Sequence, residues 1–112
     1  MPLPVLVQHL VRNRLGAYCE QRVPAEERAS RRVDLRFEDE AVVVFESRPL
    51  SGEWVALDIA RFRFNRASGT WQLDAPHFGI NPSWRTYSNK PVRELDRLIA
   101  MLDADADGVF WA

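Results

Sequence analysis

A chain of 112 residues with 46% apolar and 28% charged side chains has the make-up of one ordinary globular domain, able to bury about two thirds of its unfolded surface. Fifteen basic against sixteen acidic residues leave a net charge of -1, which excludes a global electrostatic pull toward nucleic acid or acidic lipid. A single cysteine, Cys19, excludes an intramolecular disulfide and points to a reducing, cytoplasmic setting. No basic segment precedes the mildly apolar start, so it does not read as a signal peptide. The longest apolar run, Ala41 to Phe45, is far short of the ~20 residues a membrane helix needs, so no membrane role is expected.

In chain order, Val7, Val11, Leu15 and Tyr18 recur at helical spacing from about Pro4 to Arg22, with Leu3, Leu6, Leu10 and Cys19 flanking the stripe. Gly16 weakens this helix, and Arg14 inside the apolar arc must snorkel or find an acidic partner. Pro24 ends it, and Pro24 to Ser30 carries acids early and Arg late, the charge order of a helical turn. Val33, Leu35 and Phe37 alternate with Asp34, Arg36 and Glu38 as a strand with one wet face, followed by an acidic turn. Ala41 to Phe45 is apolar at both parities, which predicts an interior strand covered on both faces.

Pro49-Leu50-Ser51-Gly52 predicts a loop, and Trp54 to Leu57 a short separate strand. The parity shift between Val55-Leu57-Ile59 and Phe62-Phe64 predicts a bulge near Asp58. Ala60, Phe62 and Phe64 then alternate with Arg61 and Arg63, and Trp71 and Leu73 resume the pattern across Asn65 to Gly69, the mark of a β-hairpin. After Leu73 the Pro and Gly residues predict a loop carrying His77 and Phe78, then a strand over Trp84 to Tyr87. Val92, Leu95, Leu98, Ile99 and Leu102 mark a second amphipathic helix, stopping within Asp103 to Gly108, and Val109 to Ala112 is apolar enough to dock back. The whole predicts an α+β domain spanning 1–112: an antiparallel sheet of four to five strands in a meander, with an N-terminal and a C-terminal helix packed on it.

The segments Cys19-Glu20-Gln21-Arg22-Val23-Pro24, Phe45-Glu46-Ser47-Arg48-Pro49, Glu53-Trp54, Ile59 to Phe64 and Gly69 to Leu73 recur in a known order. With Trp84, Tyr87, Leu102-Asp103-Ala104-Asp105 and Gly108-Val109-Phe110-Trp111, they resemble the bacterial family known as domain of unknown function 3024. The resemblance covers the chain from about residue 17 onward and implies a shared fold, with no assigned activity to carry over. Where the family usually has a longer loop with a further Trp, this chain has only Leu50-Ser51-Gly52, and Asp74-Ala75-Pro76 stands where aromatic and basic residues are usual.

Three constellations bear on function. Asp103 to Gly108 matches the start of a calcium loop, but the chain ends before the bidentate Glu such a loop requires, so a helix C-terminus is the expected reading and no metal site is assigned. Arg48, Arg61, Arg63, Trp84, Arg85 and Tyr87 form a candidate ligand-binding set, an Arg and aromatic platform suited to a small ligand or single-stranded nucleic acid. Against it, Arg61 and Arg63 have Glu46, Asp58 and Asp74 as cross-strand partners, so nucleic acid is the disfavoured ligand. Cys19, beside the apolar stripe, reads as a buried thiol, and His9 and His77 as surface imidazoles, so no catalytic residue and no cofactor is assigned. The expected function is a non-enzymatic interaction module, self-associating as a homodimer or binding another protein, through an edge strand or through Phe110 and Trp111.

Overall fold

A computed structural model describes residues 2–111. The N-terminal helix comprises α1 (Val5–Val11), a π-helical stretch over Arg12–Gly16, and α2 (Ala17–Arg22). The wider π turn keeps Val11, Leu15 and Cys19, each four residues apart, on one buried line that a strict 3.6-residue period would rotate away. A 3₁₀ turn over Ala25–Glu27 follows, as the charge order predicts.

Five strands then run β1 (Arg32–Glu38), β2 (Ala41–Leu50), β3 (Glu53–Asn65), β4 (Thr70–His77) and β5 (Ser83–Thr86). Their spatial order is β1-β2-β3-β4-β5, all antiparallel, an uninterrupted meander. The last helix, α3 (Leu95–Ala104), returns to the same side as the first. Arg14 meets Asp96 at 3.1 Å and the Tyr18 hydroxyl donates to Asp103 at 3.1 Å, so the residue expected to need an acidic partner has one on α3. Val42, Val44, Ala60, Phe62, Trp71 and Leu73 point into the core with Val11, Leu15, Leu95, Leu98 and Leu102. The central hairpin pairs in the expected parity, Phe62 with Leu73 and Phe64 with Trp71, and Gly69 takes the positive φ of 67° that its turn requires.

Several predicted boundaries are corrected. The Pro49 to Gly52 loop shrinks to a two-residue turn at Ser51 and Gly52, with φ of 54° and 84°, and Trp54 to Leu57 belongs to one 13-residue strand, β3. The bulge falls where parity places it: Val44 pairs with Ala60 and Phe45 with Asp58, leaving Ile59 as the extra residue. The predicted loop after Leu73 is strand as far as His77, and the last strand lies one residue earlier, ending before Tyr87. Val92 precedes α3 and instead bridges Trp71 through paired main-chain bonds of 2.7 and 3.0 Å.

The helix ends at Ala104, within the span expected from the sequence, with Asp105 as its left-handed cap at a φ of 42°. The Asp105 carboxylate accepts the N–H groups of Val109, Phe110 and Trp111 at 2.9, 3.1 and 2.9 Å, which turns the tail back onto the body; Ala112 lies outside the described residues. We expect Asp105→Ala to cost about 2–3 kcal/mol in urea denaturation, because three N–H groups lose a charged acceptor, and Asp105→Asn to cost less because one acceptor oxygen remains.

Candidate functional site

Both helices cover one face of the sheet, so the question of function turns on the other. On that open face β1 presents Asp34, Arg36 and Glu38, β2 presents Val43 and Phe45, β3 presents Trp54, Asp58, Arg61 and Arg63, and β4 presents Gln72 and Asp74. Among the described residues no helix lies there, yet Val43 is fully buried and Asp74 is 1% exposed. Their cover is arginine. Val43 sits in register between Arg36 and Arg61, whose aliphatic stems shield it.

The two arginines converge on one carboxylate. Arg61 Nε donates to Asp74 Oδ2 at 2.8 Å, while Arg63 donates through Nε at 2.5 Å and Nη2 at 2.9 Å, and reaches Thr86 Oγ1 at 3.0 Å. The hydrogen bonds to Asp74 raise the Arg63 guanidinium above its ordinary value, against the opposing effect of burial. Farther along, Arg36 forks onto Asp58 at 2.7 and 3.0 Å and onto Glu38 at 2.5 Å, with the same upward effect on its guanidinium. The Arg61 guanidinium also lies 5.2 Å from the Trp84 ring centre. An open groove of about 890 Å³ flanks this layer, between the acidic turn at Glu38 to Glu40 and the β3–β4 turn.

The candidate ligand set divides between the two faces. Arg61, Arg63 and Trp84 stand together on the open face. Arg48, Arg85 and Tyr87 have the opposite parity: Arg48 is bound to Glu46 at 2.8 Å, Arg85 contacts His77 Nε2 at 3.1 Å, and Tyr87 packs edge-on against Phe110 at 5.0 Å and donates to Asp107 at 2.6 Å. That bond raises the Tyr87 phenol above its ordinary value. Of the three expected acidic partners for the hairpin arginines, Asp74 takes both, Asp58 takes Arg36, and Glu46 takes Arg31 and Arg48.

The C-terminal candidates are turned inward. Phe110 is buried in the core, and the Trp111 indole donates to the Leu102 carbonyl at 3.1 Å beneath the Arg22 guanidinium, 4.4 Å from its ring centre. Asp103, Asp105 and Asp107 each bind a group of the protein, namely Tyr18, the tail amides and Tyr87. Cys19 is buried, and desolvation first, then Asp34 and Glu20, push its thiol up to about 12.

What the sequence reading passed over is the outer part of the β2–β3 hairpin. β1 pairs with β2 only as far as Ser47, and β4 pairs with β3 only along Arg61 to Asn65. Arg48 to Val55 therefore projects as a two-stranded arm. On its helix-side face Leu50 and Val55 are 65% and 49% exposed, and Leu57, at its base opposite Glu46, is 53% exposed. The signal was present as apolar alternation in Val55-Leu57, but a loop assignment at Pro49 concealed its length.

A family model described as Domain of unknown function (DUF3024) matches residues 3–112. Comparison with curated proteins and with solved structures gives no match.

Two outcomes are expected. Asp74→Ala should destabilise by about 3–5 kcal/mol in chemical denaturation, since two guanidinium groups lose a shared buried partner, while Asp74→Leu combined with Arg61→Met and Arg63→Met should recover most of that loss. For Cys19 the folded thiol titrates above its ordinary value of 9.0, so the folded state keeps its proton where the unfolded state loses it. Its stabilising effect is therefore complete below pH 9.0 and is lost as pH rises toward about 12, at up to about 1.4 kcal/mol per pH unit; Cys19→Ala should flatten that slope in urea melts at a series of alkaline pH values.

Proposed function

We propose that this chain, which belongs to the Domain of unknown function (DUF3024) family over residues 3–112, is a non-enzymatic interaction module whose recognition element is the β2–β3 arm. The observation that carries this reading is the coincidence of an unpaired strand edge with two exposed aliphatic side chains on one projecting element, Leu50 and Val55, and a third, Leu57, at its base. A strand edge offers unpaired N–H and C=O groups that another chain satisfies by adding a strand, and the apolar row beside it supplies side-chain contact. The charged face supports the same choice by default: Arg36, Arg61 and Arg63 are engaged by Asp58, Glu38 and Asp74, so little positive charge is left for phosphate. The inward packing of Phe110 and Trp111 likewise moves the recognition surface from the C-terminus to the arm.

A photoreactive amino acid at Trp54 should yield a covalent adduct with a polypeptide in cells, whereas the same group at Arg85 should not. Val55→Lys with Leu57→Lys should abolish the adduct and leave the melting temperature nearly unchanged, because neither side chain belongs to the buried core. Equal labelling from both positions would refute the arm as the recognition element.

A further inference from the structure

At the end of the open face away from the arm, the groove of about 890 Å³ between the acidic turn and the β3–β4 turn has the size of a small-molecule site. We infer that it binds a neutral, hydroxyl-rich ligand, a short carbohydrate chain. The groove lies apart from the arm, and neither needs the other.

Charge decides first. Glu38, Asp39 and Glu40 line the groove together with Arg61, Arg63 and Arg66, three acids to three bases. Asp74 and Arg36, which pair with members of this set, add one charge of each sign, so the ion pairs Arg36–Glu38, Arg61–Asp74, Arg63–Asp74 and Arg66–Glu40 leave no excess. A phosphate, a carboxylate or a polyamine therefore gains little net attraction there.

Among the described residues, this pairing leaves hydrogen-bonding capacity. Glu38 spends Oε2 on Arg36 and keeps Oε1 as an acceptor, while Arg63 spends Nε and Nη2 on Asp74 and Thr86 and keeps Nη1 as a donor. Asn65 Oδ1 accepts the N–H groups of Ala67 at 2.9 Å and Ser68 at 3.3 Å, which fixes its amide and leaves Nδ2 to donate. Gln72, half-buried on the open face of β4, has no protein partner for either end of its amide. Donors and acceptors thus stand together, several of them held in place before a ligand arrives, which lowers the entropic cost of binding. A hydroxyl group, donor and acceptor at once, matches that mixture. A flat aromatic ligand does not, because the aromatic side chain at the groove, Phe64, packs on the core side with its ring centre 4.9 Å from that of Trp71. Ala41, Ala67 and Pro91 supply small apolar contacts for the C–H groups of a sugar ring.

Nuclear magnetic resonance titration of the isotope-labelled chain, followed at the side-chain amides of Asn65 and Gln72, tests this with the neutral trisaccharides maltotriose, cellotriose and tri-N-acetylchitotriose, and with inorganic phosphate and spermidine as charged probes. We expect a trisaccharide to shift both amides saturably at millimolar concentration while the main-chain signals of Trp54 and Val55 on the arm stay in place, and the charged probes to shift neither amide. Gln72→Leu should weaken that binding about fivefold with the melting temperature unchanged, since its side chain holds no protein partner. Saturable shifts from phosphate or spermidine but not from a trisaccharide, or no saturable shift from any of the trisaccharides, overturn the carbohydrate ligand. Trisaccharide binding that Gln72→Leu leaves unaltered overturns the groove as its site.

Discussion

Asp74 is a carboxylate with almost no contact with water, on a sheet face that no helix covers, and the order of that face depends on it. A single layer of helices shields only one side of a five-stranded sheet. Val43, on the other side, stays dry because Arg36 and Arg61 lie across it, and long cationic side chains lie flat only when their heads are held. Asp74 holds Arg61 and Arg63, and Asp58 holds Arg36. Desolvating three charges at Asp74 offsets much of their mutual attraction, so the cluster acts mainly to fix geometry: it selects one arrangement of arginine stems over many solvated ones.

The bulge at Ile59 links this cover to the arm. One extra residue in β3 lets Ile59 enter the core while its neighbour Asp58 binds Arg36 on the open face. Before the bulge, Val55 and Leu57 still project toward the helix side, beyond the reach of the helices. The exposed apolar row of the arm is thus the core face of β3 continued past its cover. Two requirements meet in that strand, closure of the charged face and presentation of an uncovered edge, and a single inserted residue reconciles them.

Much of this was legible in the sequence. Period-two alternation located the central hairpin and the parity break at Asp58, the helical stripes located both terminal helices, and the acidic partners offered to Arg61 and Arg63 included Asp74, the one they use. Pro49 misled because proline usually ends a strand. Here it pairs with Trp54 at a position whose N–H points away from β3, beyond the last residue that β1 reaches, so the missing donor costs no ladder bond. The π turn at Arg12–Gly16 has no sequence mark beyond Gly16, since it is selected by the packing of α1 and α2 against the sheet. The split of Arg48, Arg85 and Tyr87 from Arg61, Arg63 and Trp84 needed strand boundaries accurate to one residue, because a shift by one moves a side chain to the opposite face.

An arginine-rich chain invites a search for an anionic ligand, and the fate of these arginines answers it differently. Arg12 lies over Phe37, Arg22 over Trp111, Arg32 over Trp54 and Arg61 over Trp84, while others bind carboxylates or main-chain carbonyls of the same chain. Guanidinium suits this work, being weakly hydrated, planar and able to stack on a ring while donating at its edge. On the open face Arg32 and Arg61 shield aromatic surface that no second helical layer covers, and Arg12 and Arg22 do the same at the margin of the helical layer. The charges of these arginines are consumed inside the fold, while the β2–β3 arm leaves a strand edge and a short apolar row exposed.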